Sequence, residues 1–186
     1  TYMDKLAIGP GFPADVVDLD ATPGDNVKAL AQAKGVSPGE IAVCVLDSPR
    51  HGAIIDALRS VGARVQLIGD GDIAGVIHTT KPGAGVDMYM GSGGAPEGVL
   101  AAAALKCMGG QFQARLVIRN DEERARAERA GIEDLRRRYS LDELVSDAAV
   151  FVATGVTNGS LLDGVRFEAG SVATHSLVVN AGTGII

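Results

Sequence analysis

Three short polar turns in the middle of the chain carry the side chains best suited to chemistry. They are Ser48-Pro49-Arg50-His51, Asp70-Gly71-Asp72 and Gly93-Gly94-Ala95-Pro96-Glu97. Each follows a short apolar run and opens a stretch of helical pattern. In an open parallel sheet all three would therefore lie at one edge, beyond the carboxyl ends of the strands, where ligands bind. Arg50 offers a fixed fork of donors suited to a phosphate, beside a helix start that favours anions; it reads equally as a surface arginine lying over its own helix. Asp70 and Asp72 can accept from sugar hydroxyls, and Asp is also a favoured helix N-cap. Glu97, in a first helical turn, either complements the helix dipole or gives Mg²⁺ or Mn²⁺ a hard oxygen ligand. One glutamate does not make a metal site, so the second reading needs further ligands from elsewhere.

Other chemistries find less in the chain. His51, His78 and His175 show no ligand spacing, and none stands at a zinc-like interval from a cysteine. Neither a GxSxG elbow nor a GxxxxGK[ST] loop is present. Gly91-Ser92-Gly93 imitates a dinucleotide fingerprint, but the third glycine position is Pro96 and the acidic residue is displaced to Asp121. An NAD-binding α/β domain using residues 91–98 therefore stands as the alternative from another class, and a non-catalytic α/β module as a third.

The elements that must hold these turns follow a regular rhythm. Residues 41–46 (IAVCVL) form a continuous apolar run, and Asp47-Ser48-Pro49 then opens a helix carrying Ile54, Ile55, Leu58 and Val61, closed by Gly62. Residues 64–68 are a second strand, followed by a short helix with Ile73, Val76 and Ile77. Residues 86–90 are a third, leading through the glycine-rich turn into an Ala-rich helix that ends near Met108; a fourth covers 114–118. This alternation predicts right-handed crossovers and a mostly parallel sheet with helices on both faces. Ahead of it, residues 25–34 read as a helix capped by Gly35.

Past Ile118 the pattern changes. Residues 120–138 are densely charged, with Glu122–Arg126, Glu133–Arg137 and Asp134–Arg138 spaced for pairing on a helix. The interleaved acids make this a solvated helical face rather than a basic patch around Arg136-Arg137-Arg138. From Ala148 the pattern turns to strands with no obvious crossover helix, which predicts antiparallel pairing. The expected division is an α/β substrate-binding region over 1–145 and a β-rich tail over 146–186.

Composition bounds the rest. The chain has 186 residues, 46% hydrophobic and 4% aromatic with no Trp, so its core must be built from Val, Ile, Leu and Ala, as in sheets wrapped by helices. A formal charge of −6 argues against nucleic acid as the main partner. Cys44 and Cys107 sit in apolar runs and read as small core residues of a reducing compartment. With no membrane-length apolar run and no leader pattern, a cytoplasmic protein is expected. The opening Thr1-Tyr2-Met3, without an initiator Met, suggests that an upstream segment was removed.

Taken together the motifs resemble class II fructose-1,6-bisphosphatases. Tyr2-Met3-Asp4-Lys5-Leu6 with Ile8-Gly9-Pro10-Gly11 resembles that family's YMEKL..GPG segment. Pro49-Arg50-His51, Asp70-Gly71-Asp72 and the GGAPEG string at 93–98 match its later motifs in order and spacing, and Ala153-Thr154-Gly155-Val156-Thr157 with Leu161-Leu162-Asp163-Gly164-Val165 is similar to ATGIT...LLEGI. The resemblance covers essentially all of the chain. It implies the C-terminal portion of a fold like that of inositol monophosphatases. It further implies metal-dependent removal of the 1-phosphate of fructose 1,6-bisphosphate in gluconeogenesis, with sedoheptulose 1,7-bisphosphate accepted by some relatives. Glu97 then matches a ligand for Mg²⁺ or Mn²⁺. Tyr2, Ser48, Pro49, Arg50, Asp70, Gly71, Asp72 and Gly94 match positions that contact the sugar bisphosphate. A homo-oligomer, dimer or tetramer, is implied for the full-length protein.

Two departures carry expectations of their own. The family's N-terminal half, with its remaining metal-binding acids and DP.EGT motif, has no counterpart here; the β-rich tail would pack on that half, and these 186 residues alone should have negligible phosphatase activity. Ser48 also stands where the family usually has Lys or Arg, which should weaken one phosphate contact.

Overall fold

The computed structural model describes residues 1–182. Its centre is a six-stranded sheet in the order β3-β2-β4-β1-β5-β6. The strands are β1 (Tyr2–Ile8), β2 (Ala42–Leu46), β3 (Arg64–Ile68), β4 (Met88–Gly94), β5 (Gln111–Val117) and β6 (Tyr139–Ser140). β2 pairs parallel with β3 and β4, as the crossover pattern requires. β1 is the element that the apolar pattern did not announce. It is inserted antiparallel to both β4 and β5, so β2, β3, β4 and β5 still point the same way. β6 is a short antiparallel edge beside β5.

Helices cover both faces, as expected. Pro23–Lys34 (α1) and Gly52–Ser60 (α2) lie on one face, where Val27, Leu30 and Leu58 pack with Leu6, Ile8, Val43, Val45 and Met88. Asp72–His78 (α3) and Ala95–Met108 (α4) lie on the other, where Val76, Ala101, Ala102 and Leu105 pack with Met3, Ala7, Cys44 and Tyr89. The alternation is simple: neighbouring residues of one strand feed opposite cores, as Val43 and Cys44 do. Every β2 residue is buried, which matches a central strand covered on both sides. The buried face of α4 is made mostly of small residues, Gly98, Ala101, Ala102 and Ala104, with Leu105.

Helix ends follow their local sequence. Thr22 caps α1 by accepting from the Asp25 amide at 3.1 Å, and Gly35 closes it in the left-handed conformation. The turn after β2 is first a single 3-10 turn, Pro49–His51, and only then α2. That arrangement places Arg50 ahead of the helix rather than on it.

Two sequence expectations are corrected. The glycine-rich segment after Met90 is not a turn: it extends β4 to Gly94, because β1 lies alongside and pairs with it throughout. The charged segment is helical only over Asp121–Arg129 (α5), since Gly131, in the left-handed conformation, follows directly. Of the three expected pairs on one helix only Glu122–Arg126 forms. Arg137 turns instead to Glu143 in the short helix Leu141–Leu144 (α6), and Arg138 to Asp18.

The last strands pair antiparallel, as the missing crossovers predicted. Val150–Thr154 (β7) pairs with Ser176–Asn180 (β10), the last strand among the described residues, while Arg166–Glu168 (β8) and Ser171–Ala173 (β9) form a separate hairpin. Phe151 and Val179 pack on Ile77 of α3 and Ala104 of α4, so one face of the β7–β10 ribbon belongs to this core.

Candidate functional site

The carboxyl ends of β2, β3 and β4 converge with the start of β1 around a cavity of about 270 Å³. Tyr2, Ser48, Arg50, Asp70, Asp72 and Gly94 all line it, together with Leu46, Asp47, Gly69 and Gly93. Six of the residues singled out from sequence are thus brought to one place by the parallel strands. Of the other three, Pro49 opens the 3-10 turn without reaching the cavity. Gly71 lies in an adjoining hollow with Asp70, Gly155 and Thr157; its φ of 86° is the left-handed turn that starts α3. Glu97 stands in the first turn of α4 with its carboxylate against Gly94, so closely that a β-carbon at position 94 would overlap it.

Arg50 does not lie over its own helix. Its Nε donates to the Ser92 carbonyl on β4 at 2.9 Å and its Nη1 to Ser48 Oγ at 2.9 Å. Two of its five donors are engaged in holding the guanidinium; the side chain is otherwise exposed at the cavity, with donors to spare for an anion. Ser48, where a second cation was absent, serves to orient Arg50. The Arg50 guanidinium stands over the Tyr2 ring at 5.4 Å and that of Arg119 at 4.2 Å from the ring centroid, so one ring meets two cations. Arg119 is in turn forked onto Glu123, and that fork holds the Glu123 carboxyl down at about 2.

The acids divide. Asp70 is exposed; its Oδ1 accepts from the Gly71 amide at 2.7 Å, and the cap of α3 is Gly71 without any side-chain bond, so Asp70 does not serve as the helix cap. Asp72 is fixed: Lys5 Nζ donates to its Oδ2 at 2.6 Å. Asp47 was not singled out from sequence. Its backbone amide bonds Ile68 O at 2.7 Å, tying the ends of β2 and β3, and its side chain is exposed at the cavity.

His51 is the hidden brace of the site, and its position beside Arg50 in the first motif was the only sequence signal for it. The ring is buried, 1% exposed. Its Nε2 accepts from the Ser92 amide at 2.8 Å, which leaves the proton on Nδ1, donating to Leu46 O at 2.9 Å. The end of β2 is thereby pinned to the middle of the glycine-rich strand. Beneath lie Cys44, whose thiol burial pushes up to about 11, and Tyr89, whose buried phenol is held neutral by burial and by nearby Asp72. The Tyr89 hydroxyl has no partner among the described residues.

What the arrangement can do is bind an anion at Arg50 and hydroxyl groups at Asp70 and Asp72. It does not build a complete metal centre. Among the described residues no group of three or more His, Cys, Asp or Glu side chains is placed to hold an ion, and Glu97 offers a single carboxylate. The glycine-rich segment pairs with β1 as a strand, and Gly93 and Gly94 lie against Asp72 and Glu97, so it is not the open loop that would cradle a pyrophosphate. No helix is long and apolar enough to cross a membrane among the described residues.

Comparison with known proteins places these features in a lineage. The family described as "Bacterial fructose-1,6-bisphosphatase, glpX-encoded" matches residues 1–186. A protein named D-fructose 1,6-bisphosphatase class 2/sedoheptulose 1,7-bisphosphatase from Microcystis aeruginosa is 39% identical over 96% of this chain and 55% of its own length. Its namesake from Crocosphaera subtropica is 39% identical over 97% and 56%. That from Synechocystis is 38% identical over the same shares. The chain spans little more than half the length of these relatives.

Proposed function

The chain belongs to the family of glpX-encoded bacterial fructose-1,6-bisphosphatases, and from that premise we propose that it supplies the sugar-phosphate grip of a metal-dependent sugar-bisphosphatase. The observation that carries this reading is the cavity at the strand ends, where a braced, exposed Arg50 stands beside Asp70 and Asp72. In the reaction proposed for the longer polypeptide, the 1-phosphate of fructose 1,6-bisphosphate is hydrolysed to leave fructose 6-phosphate. Arg50 takes a phosphate group in charge-assisted hydrogen bonds. Asp70 and Asp72 accept from sugar hydroxyls, Tyr2 closes one side of the cavity, and Ser48 and Gly94 line it beside the sugar, while Pro49 and Gly71 act by shaping the turns that carry Arg50 and Asp72. Glu97 offers one oxygen to Mg²⁺ or Mn²⁺, whose service when bound is to polarise phosphoryl oxygen and the attacking water. The remaining ligands are proposed to come from outside these 186 residues, which span little more than half the relatives' length. The same reading makes the protein a cytoplasmic homo-oligomer of gluconeogenesis, with residues 146–186 packing partly on that outside portion.

The test is steady-state phosphate release from fructose 1,6-bisphosphate with Mg²⁺ or Mn²⁺. The 186-residue chain alone should give negligible turnover. In a full-length polypeptide carrying it, Arg50→Ala should raise KM by roughly 10- to 100-fold, the worth of one or two charge-assisted bonds. Glu97→Gln should collapse kcat. Wild-type kinetics for both variants would refute the site.

A further inference from the structure

Lys5 is the buried cation that the sequence reading passed over. It lies in the middle of β1, its side chain wholly inaccessible to solvent, and its ion pair is with Asp72, which is 14% exposed at the cavity wall. The protein has made room for this pair. A β-carbon at Gly93 would overlap Asp72 Oδ2 and stand 3.1 Å from Lys5 Nζ; one at Gly98 would stand 3.2 Å from Lys5 Cε. Two glycines of the GGAPEG string thus border a lysine brought to them by a strand some 90 residues away in sequence.

The charges around the cavity show what the pair does. Asp47, Asp70 and Asp72 line it, and Arg50 is the cation among its lining residues. Three carboxylates against one guanidinium make an unfavourable place for a phosphate. We propose that Lys5 is a specificity-determining residue of the cavity: from beneath the floor it cancels the charge of Asp72, so that the cavity accepts an anion while Asp72 keeps its acceptor lone pairs for a sugar hydroxyl. The pair also fixes the Asp72 carboxylate at the cavity wall. The inference takes its ligand class from the sugar-phosphate reading above, but its charge logic applies to any phosphate.

The experiment therefore uses inorganic phosphate as well as fructose 1,6-bisphosphate, titrated calorimetrically into the 186-residue chain at low ionic strength. A unit charge about 6 Å from the ligand, at an effective dielectric of about 40, changes affinity roughly tenfold. For inorganic phosphate, Lys5→Met should weaken binding about tenfold and Asp72→Asn should tighten it by a similar factor. The double variant Lys5→Met/Asp72→Asn and the conservative Lys5→Arg should both bind close to wild type. A lysine that served only the fold would lower the melting temperature without producing this ladder. If Lys5→Met does not fold, Asp72→Asn against the double variant decides the matter, because neither holds an unpaired carboxylate. Phosphate affinities within twofold of each other in those two proteins overturn the proposal. If the ladder holds for phosphate while fructose 1,6-bisphosphate fails to bind the wild type, the charge role stands and the substrate reading falls.

Discussion

Replacing His51 by Phe should destabilise the protein without leaving a hole, and the size of the effect follows from two hydrogen bonds. The ring bridges Leu46 O at the end of β2 and the Ser92 amide in β4, at 2.9 and 2.8 Å. Phenylalanine keeps most of the ring's volume, so the cavity penalty of a large-to-small change is avoided. It cannot accept from Ser92 or donate to Leu46, and each orphaned buried group costs about 1–3 kcal/mol. Ser92 is only half-buried, so the lower half of the sum applies: about 2–4 kcal/mol. For a chain of this length that is roughly 4–16 °C in melting temperature.

The assay is thermal unfolding followed by far-ultraviolet circular dichroism, since the chain has no Trp to report by fluorescence. A consequence in the site should accompany it. Arg50 Nε donates to the same residue's carbonyl, Ser92 O. Loosening the β2–β4 brace should therefore lower affinity for an anion as well as stability. If His51→Phe melts within 1 °C of wild type, the ring is not a brace and the argument from the two bonds is wrong. If it melts early but binds phosphate unchanged, the brace does not reach Arg50.

Two further outcomes follow from proton and thiol chemistry. The Glu123 carboxyl is held at about 2, below an ordinary 4.5, chiefly by the Arg119 fork. Its contribution to stability is therefore complete above pH ~4.5 and disappears as pH falls through ~2; Glu123→Gln should lose that part of the acid dependence in a pH-melting series, and an unchanged series would show that the fork contributes nothing. Cys44, buried and pushed up to about 11, should resist a thiol reagent at pH 8 until the protein unfolds, while half-buried Cys107 reacts first; rapid labelling of Cys44, located by mass spectrometry, would refute the packing around Gly75 and Tyr89.

The parallel half of the sheet was legible because its signals are local. The continuous apolar run at 41–46 and the alternating RVQLI segment at 64–68, punctuated by Pro49, Gly62 and Gly69, mark strands feeding helices, and the observed β2, buried throughout, and β3, half-exposed at the sheet edge, fall on them. What those strands carry at their ends was legible too, since the fold rule that places ligands there needs only chain order. The charged segment was legible in composition but not in length: acids and bases at helical spacing say nothing of how far the helix runs, and Gly131 was the residue to weigh.

β1 was not legible for a different reason, and that reason also hid Lys5. A strand between two others in a sheet covered on both faces usually reads as an unbroken apolar run. Tyr2–Ile8 is broken by Asp4 and Lys5, so its pattern argues against a central position. The interruption is the functional feature. Lys5 is tolerated at the centre because Asp72 waits beside it and Gly93 and Gly98 leave space, residues supplied by three other elements. No local pattern encodes that combination. A charge placed where the fold should have an apolar residue is costly unless paired, and such a residue points to a partner before it points to a loop.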